Sequence, residues 1–214
     1  LAKRLKMSEA ELAAVRKEVY EFKDGQWIKI WEEEKWTHRG SGVQIPPSTY
    51  ELKNQFGNEL KSMILEGERE GREVGAMLCR ASTGNFHLSR TCWGRRGAVM
   101  VSDCHDGLSP LGSFHVHLRG SGVFSPQDLE QAIEKEQFSC IGYMKAGVPM
   151  LKCVIPPKYY EYTLGVKTEI RTLLKETAKD TERLQWAPNA SDAYILTRKL
   201  QHIERLLGAN EIQL

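Results

Sequence analysis

Two histidines one residue apart, His115 and His117, are followed by Ser125 and then Asp128, so the chain carries the pattern H-x-H-x7-S-x2-D. Two imidazoles and a carboxylate are zinc-type ligands. Three protein ligands also leave one tetrahedral position open, which marks a catalytic site rather than a structural one. His115, His117 and Asp128 are therefore the expected metal ligands, and Zn2+ the expected cofactor. Ser125 places a hydroxyl at a fixed offset between the second imidazole and the carboxylate. Other zinc grammars fail: there is no H-E-x-x-H, and no H-x-E accompanied by P-C-x-x-C. No glycine-rich phosphate loop is present either.

These side chains need elements to hold them. Leu111 to Val116 reads as a strand, and period-two alternation sends His115 and His117 to one face. Ser125 suits the N-cap of the next helix, Pro126 its first position, and Asp128 its first turn, where a carboxylate meets the helix dipole. Leu129, Ala132 and Ile133 would face inward. Upstream, Ser48 caps a helix on which Leu52, Phe56, Leu60 and Ile64 form one apolar stripe. The charged turn EGEREGRE ends it, and strands are predicted over Val74 to Cys79, Phe86 to Thr91 and Ala98 to Ser102. Downstream, strands over Cys140 to Met144 and Pro149 to Ile155 flank the turn Lys145-Ala146-Gly147.

The ends read as extensions. Residues 8–22 show a capping-box pattern at Ser8 and Glu11, with Leu12, Val15, Val19 and Phe22 at helical spacing. Asp24-Gly25 breaks that helix before a strand over Gln26 to Ile30, and the segment from Gly40 to Pro47 is a boundary. After Pro156-Pro157 the pattern is helical to the end, with a break at Ala187-Pro188-Asn189. There Leu196, Leu200, Ile203 and Leu207 form a stripe that needs a partner, in this chain or another. The order predicts an α/β fold with an antiparallel or mixed sheet. It divides into an N-terminal helix and strand (1–46), a central domain (47–156) and C-terminal helices (157–214).

Composition narrows the function classes. A formal net charge of +2 is too small to argue for nucleic acid or an anionic membrane as the main partner. No apolar run approaches the roughly 18 residues that would span a bilayer. Five cysteines, at 79, 92, 104, 140 and 153, include no C-x2-C pair. Cys79, Cys140 and Cys153 sit in apolar runs and read as small hydrophobes, and the setting reads as reducing and intracellular. Asp103-Cys104-His105-Asp106 reads as a surface turn. Arg90, Trp93, Arg95 and Arg96 read as a solvated hairpin tip.

The central constellation resembles the JAMM (MPN+) zinc metalloprotease family. The family carries a glutamate in a context like E-x-x-G-L-L, where this chain has Glu73-Val74-Gly75-Ala76-Met77-Leu78-Cys79, then a G-x-x-H-x-H strand, here Gly112 to His117, and the S-x2-D helix start. The resemblance covers about residues 48–156. Leu118 stands where the family usually has proline, and Val116 where it usually has serine or threonine. The resemblance implies a JAMM-like (cytidine-deaminase-like) sandwich of a mixed sheet with flanking helices. It implies Glu73 as the catalytic base and Ser125 as the donor to the oxyanion. The implied activity is peptidase or isopeptidase cleavage at the C-terminal tail of ubiquitin or a small ubiquitin-like modifier. The tail would be laid along a sheet edge beside the loop from Leu118 to Phe124. Glu68 and Glu70 are rivals to Glu73, but neither directly precedes the apolar run. A second reading is an MPN-type scaffold that uses its terminal helices as assembly surfaces. A third, a role in nucleic-acid repair, sits poorly with the small net charge.

Overall fold

The computed structural model describes residues 18–23, 26–32, 47–119, 122–134, 137–155, 164–186 and 188–214. Two strands, β1 (Glu18–Lys23) and β2 (Gln26–Glu32), pair antiparallel and belong to one compact unit. The second unit takes in Pro46–Pro156 and Ile170–Leu214 and holds the elements that build the site. β1 corrects the helix expected over 8–22, whose first part, with Ser8 and Glu11, lies outside the described residues. Helical spacing of Val19 and Phe22 was a poor guide. Register pairs Lys23 with Gln26, so the intervening sequence is Asp24-Gly25, among the strongest signals for a two-residue hairpin.

The second unit opens with helix α1 (Thr49–Glu70), capped by Ser48 and Glu51 in a reciprocal capping box. Strands β3 (Val74–Ala81), β4 (Phe86–Leu88), β5 (Cys92–Trp93) and β6 (Leu108–Val116) follow. Helix α2 (Pro126–Glu134) leads to β7 (Phe138–Lys145) and β8 (Val148–Val154). Helices α3 (Leu164–Trp186) and α4 (Ala190–Leu206) and strand β9 (Asn210–Gln213) complete the chain. The seven strands β3–β9 form one mixed sheet in the order β4-β3-β6-β7-β8-β9, with β5 also on β3. Only β6 and β7 run parallel, and α2 is the crossover that joins them. The fold is α/β, as the order of elements predicts.

The stripe of α1 is buried through Leu52, Phe56, Leu60, Met63 and Ile64. Close approach depends on a glycine in the sheet: a Cβ at Gly142 would come within 2.6 Å of Ile64 Cγ1 and 2.7 Å of the Phe114 ring. Phe114 and Val116 therefore face α1. Alternation sends His115 and His117 to the opposite face, where α2 lies.

Gly112, the first residue of the G-x-x-H-x-H strand, pairs with Phe138 across the parallel seam. A Cβ at that position would fall onto the Phe138 carbonyl oxygen. Gly112→Ala is expected to lower unfolding free energy by about 2–3 kcal/mol, read as a shifted midpoint in urea. An unchanged midpoint would show that the seam opens without cost.

Further sequence expectations need correction beyond β1. The C-terminal segment is not helical to its end, because β9 pairs antiparallel with β8. Its four residues, Asn210-Glu-Ile-Gln213, alternate too briefly to compete with the long helical pattern before them. The apolar stripe of α4 finds its partner in this chain: Leu200, Ile203 and Leu207 are buried. Nor are the cysteines separate hydrophobes. Cys79 is bonded to Cys104 and Cys140 to Cys153, leaving Cys92 free. Cys140 and Cys153 stand directly opposite each other on β7 and β8, a proximity set by sheet register that sequence spacing does not display. The case for a reducing setting rested on unpaired cysteines and falls with them. No described helix is long and apolar enough to cross a membrane. The strand expected over Ala98 to Ser102 is reduced to one bridge between Arg95 and Ala98.

Candidate metal centre

β3 and β6 run side by side with Gly75 opposite His115. Gly75 lacks a side chain where the 99–101 segment crosses: a Cβ there would meet Val101 at 2.8 Å and Val99 at 3.1 Å. His117 is the first residue beyond β6, and its N–H continues the parallel pairing by donating to the Gly142 carbonyl at 2.8 Å. The two imidazoles lie with ring centroids 4.8 Å apart. Both histidines therefore owe their places to backbone pairing.

Asp128 is turned toward them by the start of α2. The Ser125 N–H and hydroxyl donate to its Oδ2 at 2.8 and 2.6 Å, and the Asp128 N–H donates back to Ser125 Oγ at 3.2 Å. This reciprocal exchange is a capping box with aspartate at the third position. His115 Nε2 lies 3.3 Å from Asp128 Oδ1 and His117 Nε2 3.3 Å from Oδ2. The two Nε2 atoms are 2.9 Å apart.

The chemistry of this donor set fits a metal ion. Three ligand atoms lie within 4.8 Å of one another, and they form a metal-type group among the described residues. With both Nε2 atoms free of protons, the two imidazoles and the Asp128 carboxylate turn lone pairs toward one another over 2.9–3.3 Å. A cation bound between them and the carboxylate would engage all three lone pairs. Burial pushes the Asp128 carboxyl up, but hydrogen bonds from His115, His117 and Ser125 outweigh it and hold the group well below the usual carboxylate range. The carboxylate is thus kept in the ionised form that a ligand requires.

Glu73 stands just before β3, its backbone fixed by the hairpin that follows. Its N–H donates to the Arg95 carbonyl at 3.3 Å, and its own carbonyl accepts from Gly94 at 2.8 Å. Burial raises its carboxyl pKa. The nearby His115 and His117 pull it down, Asp128 pushes it up, and the Gly97 N–H bonds to it. A carboxyl with a raised pKa beside such a group suits proton transfer. Glu73, Ser125, His115, His117 and Asp128 all line one cleft of about 430 Å³, within the size range of small-molecule sites. The structure thus brings together all five residues singled out by sequence.

The rivals of Glu73 have other work. Glu68 accepts the Arg119 N–H at 2.8 Å, holding the backbone just after the second histidine where Arg119 adopts a φ of 61°. Glu70 is engaged by Arg69 at 3.0 Å. Sequence reasoning missed Arg96 and Arg119 as lining residues. No spacing rule could have found them, since they reach the cleft only through the hairpin after β5 and the loop after β6. The basic hairpin tip expected around Arg95 and Arg96 is present as a turn closed by the Arg95–Ala98 bridge.

No protein-family model and no curated protein matches the chain. What the site can do is set by its own groups. Two imidazoles, one buried and one partly buried, and an ionised carboxylate can hold a metal ion, and a carboxyl with a raised pKa lines the same cleft.

Proposed function

We propose that the chain is a zinc-dependent peptidase or isopeptidase of JAMM type, acting at the C-terminal tail of a ubiquitin-like or other small modifier protein. The observation that carries this reading is the meeting of Glu73 with His115, His117 and Asp128 in one cleft. An N2O donor set of this kind suits zinc, which supplies Lewis acidity toward a carbonyl oxygen and toward water. The JAMM-like form of the α/β fold is part of the same proposal. It is supported by the parallel β6–β7 pair, the α2 crossover and α1 on the far face.

The chain's own residues divide the remaining work. Glu73 accepts the proton of the attacking water and returns it to the leaving amine, a contribution of about 10²–10⁴-fold in rate. The Gly97 N–H holds the Glu73 carboxylate in the cleft. Ser125 Oγ carries a proton that Asp128 accepts in the resting site. Turned toward the cleft, the same hydroxyl donates to the developing oxyanion, an interaction of roughly 3–4 kcal/mol in acyl transfer. The cleft between the 96–101 segment and the start of α2 receives the extended tail.

The zinc-loaded 214-residue chain is expected to release a reporter protein fused or isopeptide-linked to the tail of a small modifier. A chelator should stop the release and added zinc should restore it. Failure to cleave any modifier fusion by a chain that holds zinc would reject the peptidase reading and leave the scaffold alternative.

A further inference from the structure

Deep in the second unit a lysine and a glutamate are buried together. Lys152 on β8 is 9% exposed and Glu204 on α4 is 4% exposed, with Nζ and Oε2 3.2 Å apart. Taking two charges out of water costs several kcal/mol each, so such a pair is weak support for stability, and well-packed apolar replacements are often neutral or stabilising. Its presence calls for another reason.

The bonds each partner makes beyond the pair supply one. Lys152 Nζ donates to the Gly122 carbonyl. Glu204 Oε1 accepts the Phe124 N–H at 2.7 Å. The two groups thus grip the same three-residue segment from either side of Val123. The segment is held close on a third side, because a Cβ at Gly122 would collide with the Tyr143 ring, and the Phe124 side chain is fully buried. The next backbone N–H, that of Ser125, is the one that orients Asp128 Oδ2. From Glu204 to the Asp128 carboxylate the chain of contacts is therefore clamp, adjoining peptide, capping box and ligand, with no loose residue between.

We propose that the Lys152–Glu204 pair is a positioning clamp for the metal centre, fixing residues 122–124 so that Ser125 and Asp128 stand where the two histidines need them. The proposal rests on the metal-centre reading above. Neither residue touches the metal group; both act through the backbone that leads into α2. Groups that directly support a metal ligand typically change its affinity 10–100-fold when lost; the clamp acts further out, through the adjoining peptide and the capping box, so its effect belongs at the lower end of that range.

The test compares Glu204→Ala, Glu204→Gln and the double variant K152M/E204L in the full chain. The readouts are zinc dissociation constants by chelator competition, with thermal melting followed in parallel. Glutamine keeps an acceptor for the Phe124 N–H, whereas alanine removes it. Glu211, 3.7 Å from Lys152, still offers Lys152 a counter-charge in both. The expected result is a zinc dissociation constant raised about tenfold in Glu204→Ala and in the double variant, with Glu204→Gln close to wild type. The double variant also leaves the Phe124 N–H and the Gly122 carbonyl without these partners, so its melting temperature should fall as well, and the zinc constant is read on the protein that is folded at the assay temperature. A merely structural role would move melting and leave the zinc constant of the folded protein unchanged, and that result overturns the clamp. If the double variant does not fold, the alanine and glutamine variants decide the matter alone: equal zinc constants in those two reject it. A wild-type chain that binds no zinc would instead remove the metal-centre reading itself, an outcome distinct from wild-type binding that the variants share.

Discussion

Glu73→Gln is expected to bind zinc as the native chain does and to cleave modifier fusions about 10²–10⁴-fold more slowly. The amide keeps the shape of the side chain and an oxygen to accept the Gly97 N–H, but it cannot take a proton from water. Because Glu73 touches none of the three ligand atoms at bonding distance, zinc content is a clean control. The pH dependence follows in sign. Burial raises the Glu73 carboxyl pKa, with the histidines opposing, and only the ionised form acts as a base. The kcat/KM should therefore fall as the pH drops through the Glu73 pKa, and Glu73→Gln should lose that acid limb. A glutamine variant with the full native rate would remove Glu73 from the chemistry.

His117→Ala should weaken zinc binding by on the order of a hundredfold or more. Loss of a group that only supports a ligand costs 10–100-fold, and His117 is placed as a ligand itself. It is also buried, and it sits where its N–H extends the β6–β7 pairing. Alanine retains that N–H, so the fold should survive the change. Chelator competition against the native chain measures the effect, and far-ultraviolet circular dichroism checks the fold. An unchanged zinc constant would mean that the imidazole is a core residue rather than a ligand. Asp128→Asn is the companion: the amide oxygen can still accept from Ser125 and keep the helix capped, while the ligand charge is lost. Weakened zinc binding with an intact α2 would separate the two roles of that side chain.

Most of the candidate site was legible in the sequence because four of its five residues sit beside a strong local signal. His115 and His117 share a face by alternation. Ser125-Pro126-x-Asp128 spells a helix start whose capping box turns the carboxylate toward the strand. Glu73 was harder to place, since acidic turns are common, and the resemblance rather than any spacing chose it over Glu68. The stripe of α1 was equally plain, from Leu52 to Ile64. What escaped depends on register and on distant contacts. Cys140 and Cys153 meet because β7 folds back on β8 in one particular register. Cys79 and Cys104 meet because the crossing segment after Val101 returns to β3. Val19 and Phe22 fit helical spacing as well as a short strand, and pairing with β2 decided against the helix. Glu204 reads in sequence as one more charge on an amphipathic helix, and only the packing of α4 reveals that it is buried beside Lys152.

The most direct test is the number of zinc ions per chain, measured by mass spectrometry on wild-type protein stripped with chelator, reloaded with zinc and freed of excess metal. One zinc per chain, absent from His117→Ala treated identically, is the result the site geometry predicts. No zinc in the wild type after reloading, or equal zinc in both proteins, would contradict a metal centre at His115, His117 and Asp128.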